Sequence, residues 1–380
     1  MDKNRAGVLI TQQNGYKAFI PNPLPPNPPL EIDPEMIALL SKADSAIGRL
    51  SGVSEALPNP NLFVAMYVRK EAVLSSQIEG TEASLEDVIE YESEDRPKTL
   101  ANDVAEVINY VRAMNYGLDR IRELPLSLRL IKEIHAELMK GVRGAEKTPG
   151  EFRKSQNWIG PAGCTLENAK FIPPPPHEMM QAVGVLEKYM HSKLRYPLLI
   201  ECALMHAQFE TIHPFLDGNG RIGRLLITFF LCYKDILKKP LLYLSHYFKQ
   251  NRMEYYDRLT AIRDKGDFES WIKFFLNGII FVAIEAMEMS HKILALQVKD
   301  KAGINEMCRR SKKAAALHDR LFDRPIVSVK DVARMMEVTF PTANDLSARL
   351  IRAGILKEIT GKTRGRMFAY KSYLDLLKKE

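Results

Sequence analysis

Twelve residues, His213-Pro214-Phe215-Leu216-Asp217-Gly218-Asn219-Gly220-Arg221-Ile222-Gly223-Arg224, constrain this chain more than any other stretch. Apolar Leu225, Leu226, Ile227, Phe229 and Phe230 follow at once, so a glycine-broken turn runs straight into a buried helix. Such a turn points its free backbone N–H groups at whatever lies in front of it, which favours an anion. Asp217 supplies a hard oxygen ligand suited to Mg²⁺, and Arg221 and Arg224 supply fixed positive forks for phosphate oxygens. His213, with three residues between it and Asp217, is placed to serve the same ligand as a proton acceptor. A glycine turn that merely caps a core helix needs none of this chemistry. Gly-Lys-Ser/Thr is absent from the run, so it is not a P-loop.

These residues match, at every specified position, the pattern His-x-Phe-x-Asp/Glu-Gly-Asn-Gly-Arg-x-x-Arg, and in this the chain resembles the Fic family. The resemblance implies a helical enzyme that moves part of a nucleotide, usually AMP from ATP, onto a protein hydroxyl. Carried over by position, it makes His213 the base for that hydroxyl and Asp217 the Mg²⁺ ligand. Gly218, Asn219 and Gly220 would cradle the phosphates, with Asn219 near the α-phosphate, and Arg221 and Arg224 would hold the β- and γ-phosphates. That division of labour suits attack at phosphorus, which needs positioning and charge neutralisation more than covalent help.

The same resemblance covers Ser75-Ser76-Gln77-Ile78-Glu79-Gly80, which fits the Ser/Thr-x-x-x-Glu-Gly/Asn pattern of the inhibitory helix in Fic proteins. Ser75 and Glu79, four apart, share one helix face. A carboxylate in a last helical turn is disfavoured by roughly 0.3–1 kcal/mol against the dipole, so a cationic partner makes sense of it. The resemblance names Arg224. Paired with Glu79, Arg224 would not hold the γ-phosphate, and the enzyme would be autoinhibited.

Length and composition bound the rest. At 380 residues the chain has room for two or three domains, and its composition is that of an ordinary soluble protein. The apolar stretch from Phe274 to Met289 is interrupted by Asn277, Gly278 and Glu285 and is too short for a membrane span, so no membrane partner is expected. Nothing after Met1-Asp2-Lys3-Asn4-Arg5 resembles a signal peptide. Cys164, Cys202, Cys232 and Cys308 form no Cys-x-x-Cys pair, which argues against a zinc site or a disulfide framework. A cytoplasmic location is expected. Residues 301–380 carry 18 Lys and Arg against 9 Asp and Glu, on a body that is close to neutral.

The periodicity predicts a mainly α chain. Pro21, Pro23, Pro25, Pro26, Pro28 and Pro29 exclude a helix from residues 1–30, which are expected as an extended polyproline strap on the body or an SH3-type ligand. Helical spacing follows at 34–50, 61–78, 84–92, 101–122, 126–140, 177–192, 196–212, 223–236, 252–264 and 268–296. Two β-type stretches, 157–159 and 170–172, flank a loop with Gly160, Pro161 and Gly163. They resemble the Fic hairpin flap, which lays its edge along a target peptide. Tyr255 and Tyr256 fall where the family closes over the nucleobase; either can stack on adenine or belong to the core, and Arg263 stands where an amide often reads the base. His206 and His135 read as satisfied core histidines.

The tail shows a helix at 329–336, a turn, a second helix at 341–353 and two strands, 355–359 and 367–370. It resembles the winged helix-turn-helix domain appended to long Fic proteins. Thr342, Asn344, Arg349 and the wing residues Lys362, Arg364 and Arg366 can meet DNA, while protein docking and homodimer formation stay open as other uses.

The expected organisation is an N-terminal helical region with the inhibitory helix (1–110), a Fic core with its hairpin flap (111–298) and a winged-helix domain (299–380). The expected activity is Mg²⁺-dependent AMP transfer from ATP to a protein, the enzyme itself included. The rivals are a transferase using another donor or moving phosphate, and a DNA-binding regulator whose nucleotide site only senses. An intact His213 speaks against a pure sensor, which needs no base.

Overall fold

The computed structural model describes residues 4–56, 60–92, 102–161, 163–307, 311–361 and 365–378. It is mainly helical, with two small antiparallel sheets among the described residues. A hairpin of β1 (Gly7–Thr11) and β2 (Lys17–Pro21) opens the chain. The helical body contains α1 (Pro34–Ala56), α2 (Pro60–Ile78), α3 (Leu85–Tyr91), α4 (Asn102–Arg120), α5 (Leu128–Leu138) and α6 (Pro176–His191). It continues through α7 (Leu198–Ile212), α8 (Asn219–Tyr233), α9 (Ser245–Gln250), α10 (Arg252–Lys265) and α11 (Phe268–Met307).

At the centre lie α7 and α8. Every residue of α7 from Leu199 to Ile212 is buried, as are Ile222 to Leu231 of α8. Helices apolar on all sides belong in the middle of a bundle. The short loop between them, 213–218, is therefore anchored at both ends by buried helices. Gly117 of α4 packs on Phe229 so closely that a Cβ would fall 2.3 Å from the ring. This close approach seats α4 directly against α8.

The N-terminal segment departs from expectation. Residues 7–21 form a hairpin rather than a polyproline helix, because the prolines that exclude regular pairing begin only where β2 ends. The segment still straps the body. Arg5 is buried, donates to both carboxylate oxygens of Glu269 at 2.8 and 2.9 Å, and also donates to the Pro28 and Pro29 carbonyls. The flap is likewise less regular than expected. Ile159 and Phe171 form a single antiparallel bridge, with Ile159 N–H donating to the Phe171 carbonyl at 2.8 Å. Pro161 and the run Pro173–Pro176 lack the N–H groups a longer ladder would need. Phe19 of β2 donates its N–H to the Ile172 carbonyl at 2.9 Å, which joins the N-terminal hairpin to the flap.

The C-terminal unit contains α12 (Lys312–Arg320), β3 (Ile326–Ser328), α13 (Val329–Met335), α14 (Phe340–Arg352), β4 (Lys357–Glu358), β5 (Met367–Ala369) and α15 (Lys371–Lys378). Its strands run in the order β3-β5-β4. Ser328 and Asp331 form a reciprocal capping box that starts α13. On the outer side Thr342 bonds Thr339, Asn344 accepts from Arg366 at 3.0 Å, and Arg349 pairs with Asp345. Lys362, Arg364 and Cys308 lie outside the described residues.

The boundaries read at 110/111 and 298/299 fall inside α4 and α11. Periodicity alone does not show where one helix serves two regions. Asp300 on α11 accepts from Tyr370 at 2.5 Å, and Lys301 pairs with Asp319, so the tail is built onto the end of that helix. Among the described residues no helix is long and apolar enough to cross a membrane.

Candidate active site

The loop begins with a strained residue. His213 caps α7 at φ 50 and ψ 61, a left-handed conformation that costs a non-glycine residue roughly 1–2 kcal/mol. Arg153, from the start of the flap segment, holds it there. Its Nε donates to the His213 carbonyl at 3.0 Å, and its other donors reach the Ser155 and Pro174 carbonyls. Asn157 donates to the Phe215 carbonyl at 2.9 Å and the His213 carbonyl at 3.3 Å. Arg153 and Asn157 were not legible as site residues. Nothing in the sequence distinguishes one buried arginine or amide in a loop.

Burial and the charge of Arg153 push the His213 imidazole down to about 4. At neutral pH the ring is therefore unprotonated. A base must be.

Asn219 shapes the turn rather than facing outward. It is buried, its Oδ1 accepts from Phe215 N–H and its Nδ2 donates to the Phe215 carbonyl, both at 2.8 Å. Those bonds hold the amide within the turn through one donor and one acceptor. His135 supports the turn from below. Its ring stacks on Phe215 at 3.8 Å, its Nδ1 accepts from Gly150 N–H, and its Nε2 meets the Asp217 carbonyl at 3.1 Å. Gly218 adopts φ 75 at the start of α8, whose first turn has no side-chain cap. The free N–H groups of an uncapped N-terminus form a ready anion site.

Asp217 stands at the rim of that turn. Partial burial would raise its pKa, but Lys147, Arg221 and the Gly218 N–H outweigh this and hold the carboxylate below its usual range. Lys147 lies 3.1 Å from Oδ2, and Arg221 lies 3.7 Å from Oδ1. Among the described residues no group of three or more His, Cys, Asp or Glu gathers as a metal cage. One ionised, partly exposed carboxylate beside a phosphate-binding turn is nonetheless the donor set Mg²⁺ takes when substrate phosphates and waters supply the rest. The residues fit that ion.

The two arginines are both occupied. Arg221, almost fully buried, donates to Glu106 Oε2 at 2.9 Å. Arg224 donates from Nη2 to Glu79 Oε1 at 2.7 Å and to the Ser75 carbonyl at 3.0 Å, and from Nε to Ser75 Oγ at 2.8 Å. Burial alone would raise the Glu79 pKa; Arg224 outweighs it and keeps the carboxylate ionised. The carboxylate also sits on the glycine turn. A Cβ on Gly220 would fall 2.2 Å from Glu79 Oε1. An anion from the chain itself thus stands against the backbone of the anion site.

Tyr255 is in the core, with its hydroxyl on His206 Nε2 at 2.9 Å, so it is not open to stack on a base. Tyr256 is 39% exposed and remains the available ring. Arg263 lies over the Phe171 ring at 4.0 Å, tying α10 to the flap.

Residues 37–119 match the sequence profile described as Fic/DOC family N-terminal, and residues 125–231 match that of the Fic/DOC family. A relative from Aquifex aeolicus (strain VF5), described as a probable protein adenylyltransferase, is 30% identical over 46% of this chain and 51% of its own length. Protein adenylyltransferase Fic of Aedes aegypti is 31% identical over 39% of this chain and 27% of its own. The matched region thus spans about half or less of these curated relatives. A Fic family protein from Desulfovibrio desulfuricans G20 superposes with a TM-score of 0.59 at 18% identity, covering 90% of this chain and 97% of that one, so the fold is shared. With both profiles matched in order along residues 37–119 and 125–231, the chain belongs to the Fic/DOC family.

Proposed function

We propose that this protein is an adenylyltransferase that moves AMP from ATP to a hydroxyl side chain of a protein, and that Glu79 holds it inactive. The observation that carries the reading is the uncapped N-terminus of α8, with unprotonated His213 on the preceding cap and Arg224 one turn further on. That arrangement accepts a polyphosphate at the helix end and a proton at the histidine. His213 takes the proton of the target hydroxyl, the hydroxyl oxygen bonds to the α-phosphorus, and pyrophosphate leaves. Asp217 would hold Mg²⁺, which would neutralise phosphate charge. The relatives described as adenylyltransferases support AMP as the transferred group.

Glu79 acts in this account by exclusion. Its carboxylate occupies Arg224 and lies against Gly220, where a phosphate oxygen would bind. The flap beside His213 presents the target segment, and the C-terminal unit is read as a winged helix. Incubation with ATP labelled separately on the α- and γ-phosphate tests the reaction class. Label from the α position should appear on protein. Label only from the γ position would make the protein a phosphotransferase.

A further inference from the structure

Glu79 is not the only carboxylate that reaches the motif from the N-terminal region. Glu106, on α4, is 1% exposed and bonds Arg221, which is 4% exposed. The two pairs differ in kind. Glu79 follows the end of α2, its side chain is 35% exposed, and Gly80 gives the chain a turn there at φ 99. Glu106 sits in the first half of a 19-residue helix that Gly117 clamps onto α8. The Glu106–Arg221 pair is thus built into the packing of α4 on α8, with no turn beside it like that after Glu79.

Its orientation says what it does. With Nη1 on Glu106 Oε2, the Arg221 guanidinium turns Nη2 toward Asp217 Oδ1 at 3.7 Å. Nη2 also donates to Met139 Sδ at 3.6 Å, and Asp217 takes its own bonds from Gly218 N–H and Lys147, so Arg221 bears on the one carboxylate that would hold the divalent cation as a fixed nearby charge. A bare guanidinium at that distance would also repel the cation, since the interaction between unit charges scales inversely with distance and dielectric. Glu106 offsets that charge from the buried side. Arg143 Nε, 3.4 Å from Glu106 Oε1, is mostly exposed and screened by solvent.

We infer that Glu106 is a positioning residue: it fixes Arg221 against Asp217 and cancels its charge, so that Asp217 can take Mg²⁺. The inference rests on the nucleotide site proposed above. The test uses full-length Glu79→Gly protein as the parent and titrates ATP by calorimetry in EDTA and across a series of MgCl₂ concentrations. Glu106→Gln keeps the shape and an acceptor for Nη1 but removes the charge. It should raise the Mg²⁺ concentration for half-maximal ATP binding by roughly 10-fold or more, as loss of an outer partner of a metal ligand does, while ATP affinity in EDTA does not fall. Glu106→Ala should lose more and also lower the melting temperature.

An unchanged Mg²⁺ midpoint in Glu106→Gln would reduce Glu106 to a packing element and overturn the inference. Tighter ATP binding both with and without Mg²⁺ would overturn it too, because Glu106 would then be a second competitor for phosphate. If the Glu79→Gly parent itself binds no ATP with Mg²⁺, the nucleotide site falls first and the inference with it. A parent that binds, beside an unchanged Glu106→Gln, sinks the inference alone.

Discussion

The Glu79 carboxylate lies 2.7 Å from the Arg224 guanidinium, 145 residues away in sequence, and in contact with Gly220. One anion thus covers two features that a triphosphate would need, the second arginine and the glycine backbone. Ser75 fixes the geometry with two further bonds to Arg224. Removal of Glu79 leaves Arg224 with these neutral partners and an open face.

His213 should be needed for transfer and dispensable for binding. In the Glu79→Gly background, His213→Ala should lower the rate by at least roughly 10²-fold. The Kd for ATP should change little, because a base stabilises the transition state and hardly touches the ground state. Single-turnover kinetics beside calorimetry separates the two. Equal losses in both would reassign His213 to binding.

The pH profile follows from the depressed imidazole. Burial and Arg153 bring His213 to about 4, so it stays unprotonated well below the ordinary histidine range. The Glu79 charge raises the imidazole slightly, so its loss moves the ring no higher. The acid limb of kcat/KM for the Glu79→Gly enzyme should therefore fall at or below about pH 4 rather than near 6.5. A limb at 6.5 would show that the ring is solvated in the working enzyme.

Glu71 makes a stability prediction of the opposite sign. It is buried on α2, accepts from Tyr110 and Ser245, and burial raises it to about 7. An unfolded glutamate ionises near 4.5. Between about pH 4.5 and 7 the unfolded chain therefore releases a proton that the folded protein keeps, and stability is lost as pH rises through that window. Glu71→Gln should leave the melting temperature near wild type at pH 4.5 and raise it above wild type at pH 8. Thermal unfolding at the two pH values reads the difference directly, and no dependence on pH would mean Glu71 is ionised in the fold.

Asn219 should behave as a structural residue of the turn. Asn219→Ala leaves the buried Phe215 N–H without its partner, at about 1–3 kcal/mol for an unsatisfied group, and takes one of two donors from the Phe215 carbonyl, which keeps Asn157. The melting temperature should fall, and ATP affinity should fall with EDTA as much as with Mg²⁺. An unaltered melting temperature would put the amide back beside the phosphates.

These residues also show what a sequence can carry. His213, Asp217, the glycines and both arginines were legible because their chemistry is contiguous, and a glycine turn entering an apolar helix has few other forms. Glu79 was legible through its resemblance to the Ser/Thr-x-x-x-Glu-Gly/Asn pattern, which implied Arg224 as its partner, and a carboxylate at a helix end in want of a cation agrees with it. Arg153, Asn157 and Glu106 were not, because each acts on the loop from a segment that only the fold brings near. Asn219 was legible as a motif residue, but its two bonds to the Phe215 backbone were not, because only the folded turn brings those groups within reach. The N-terminal hairpin was hidden by the prolines that follow it. Tyr255 and Tyr256, adjacent in sequence, parted when α10 turned one inward to His206 and the other outward.

The central claim is that an adenylyl-transfer site is complete in this chain and blocked by one carboxylate. The most direct measurement compares wild type, Glu79→Gly and Glu79→Gly/His213→Ala for protein-bound label from α-labelled ATP at saturating nucleotide with Mg²⁺. Wild type should be nearly silent, Glu79→Gly should rise by about tenfold or more, on the scale of the roughly 1.4 kcal/mol that a tenfold change represents, and the double variant should return to background. A Glu79→Gly rate equal to wild type, with His213 intact, would contradict the account.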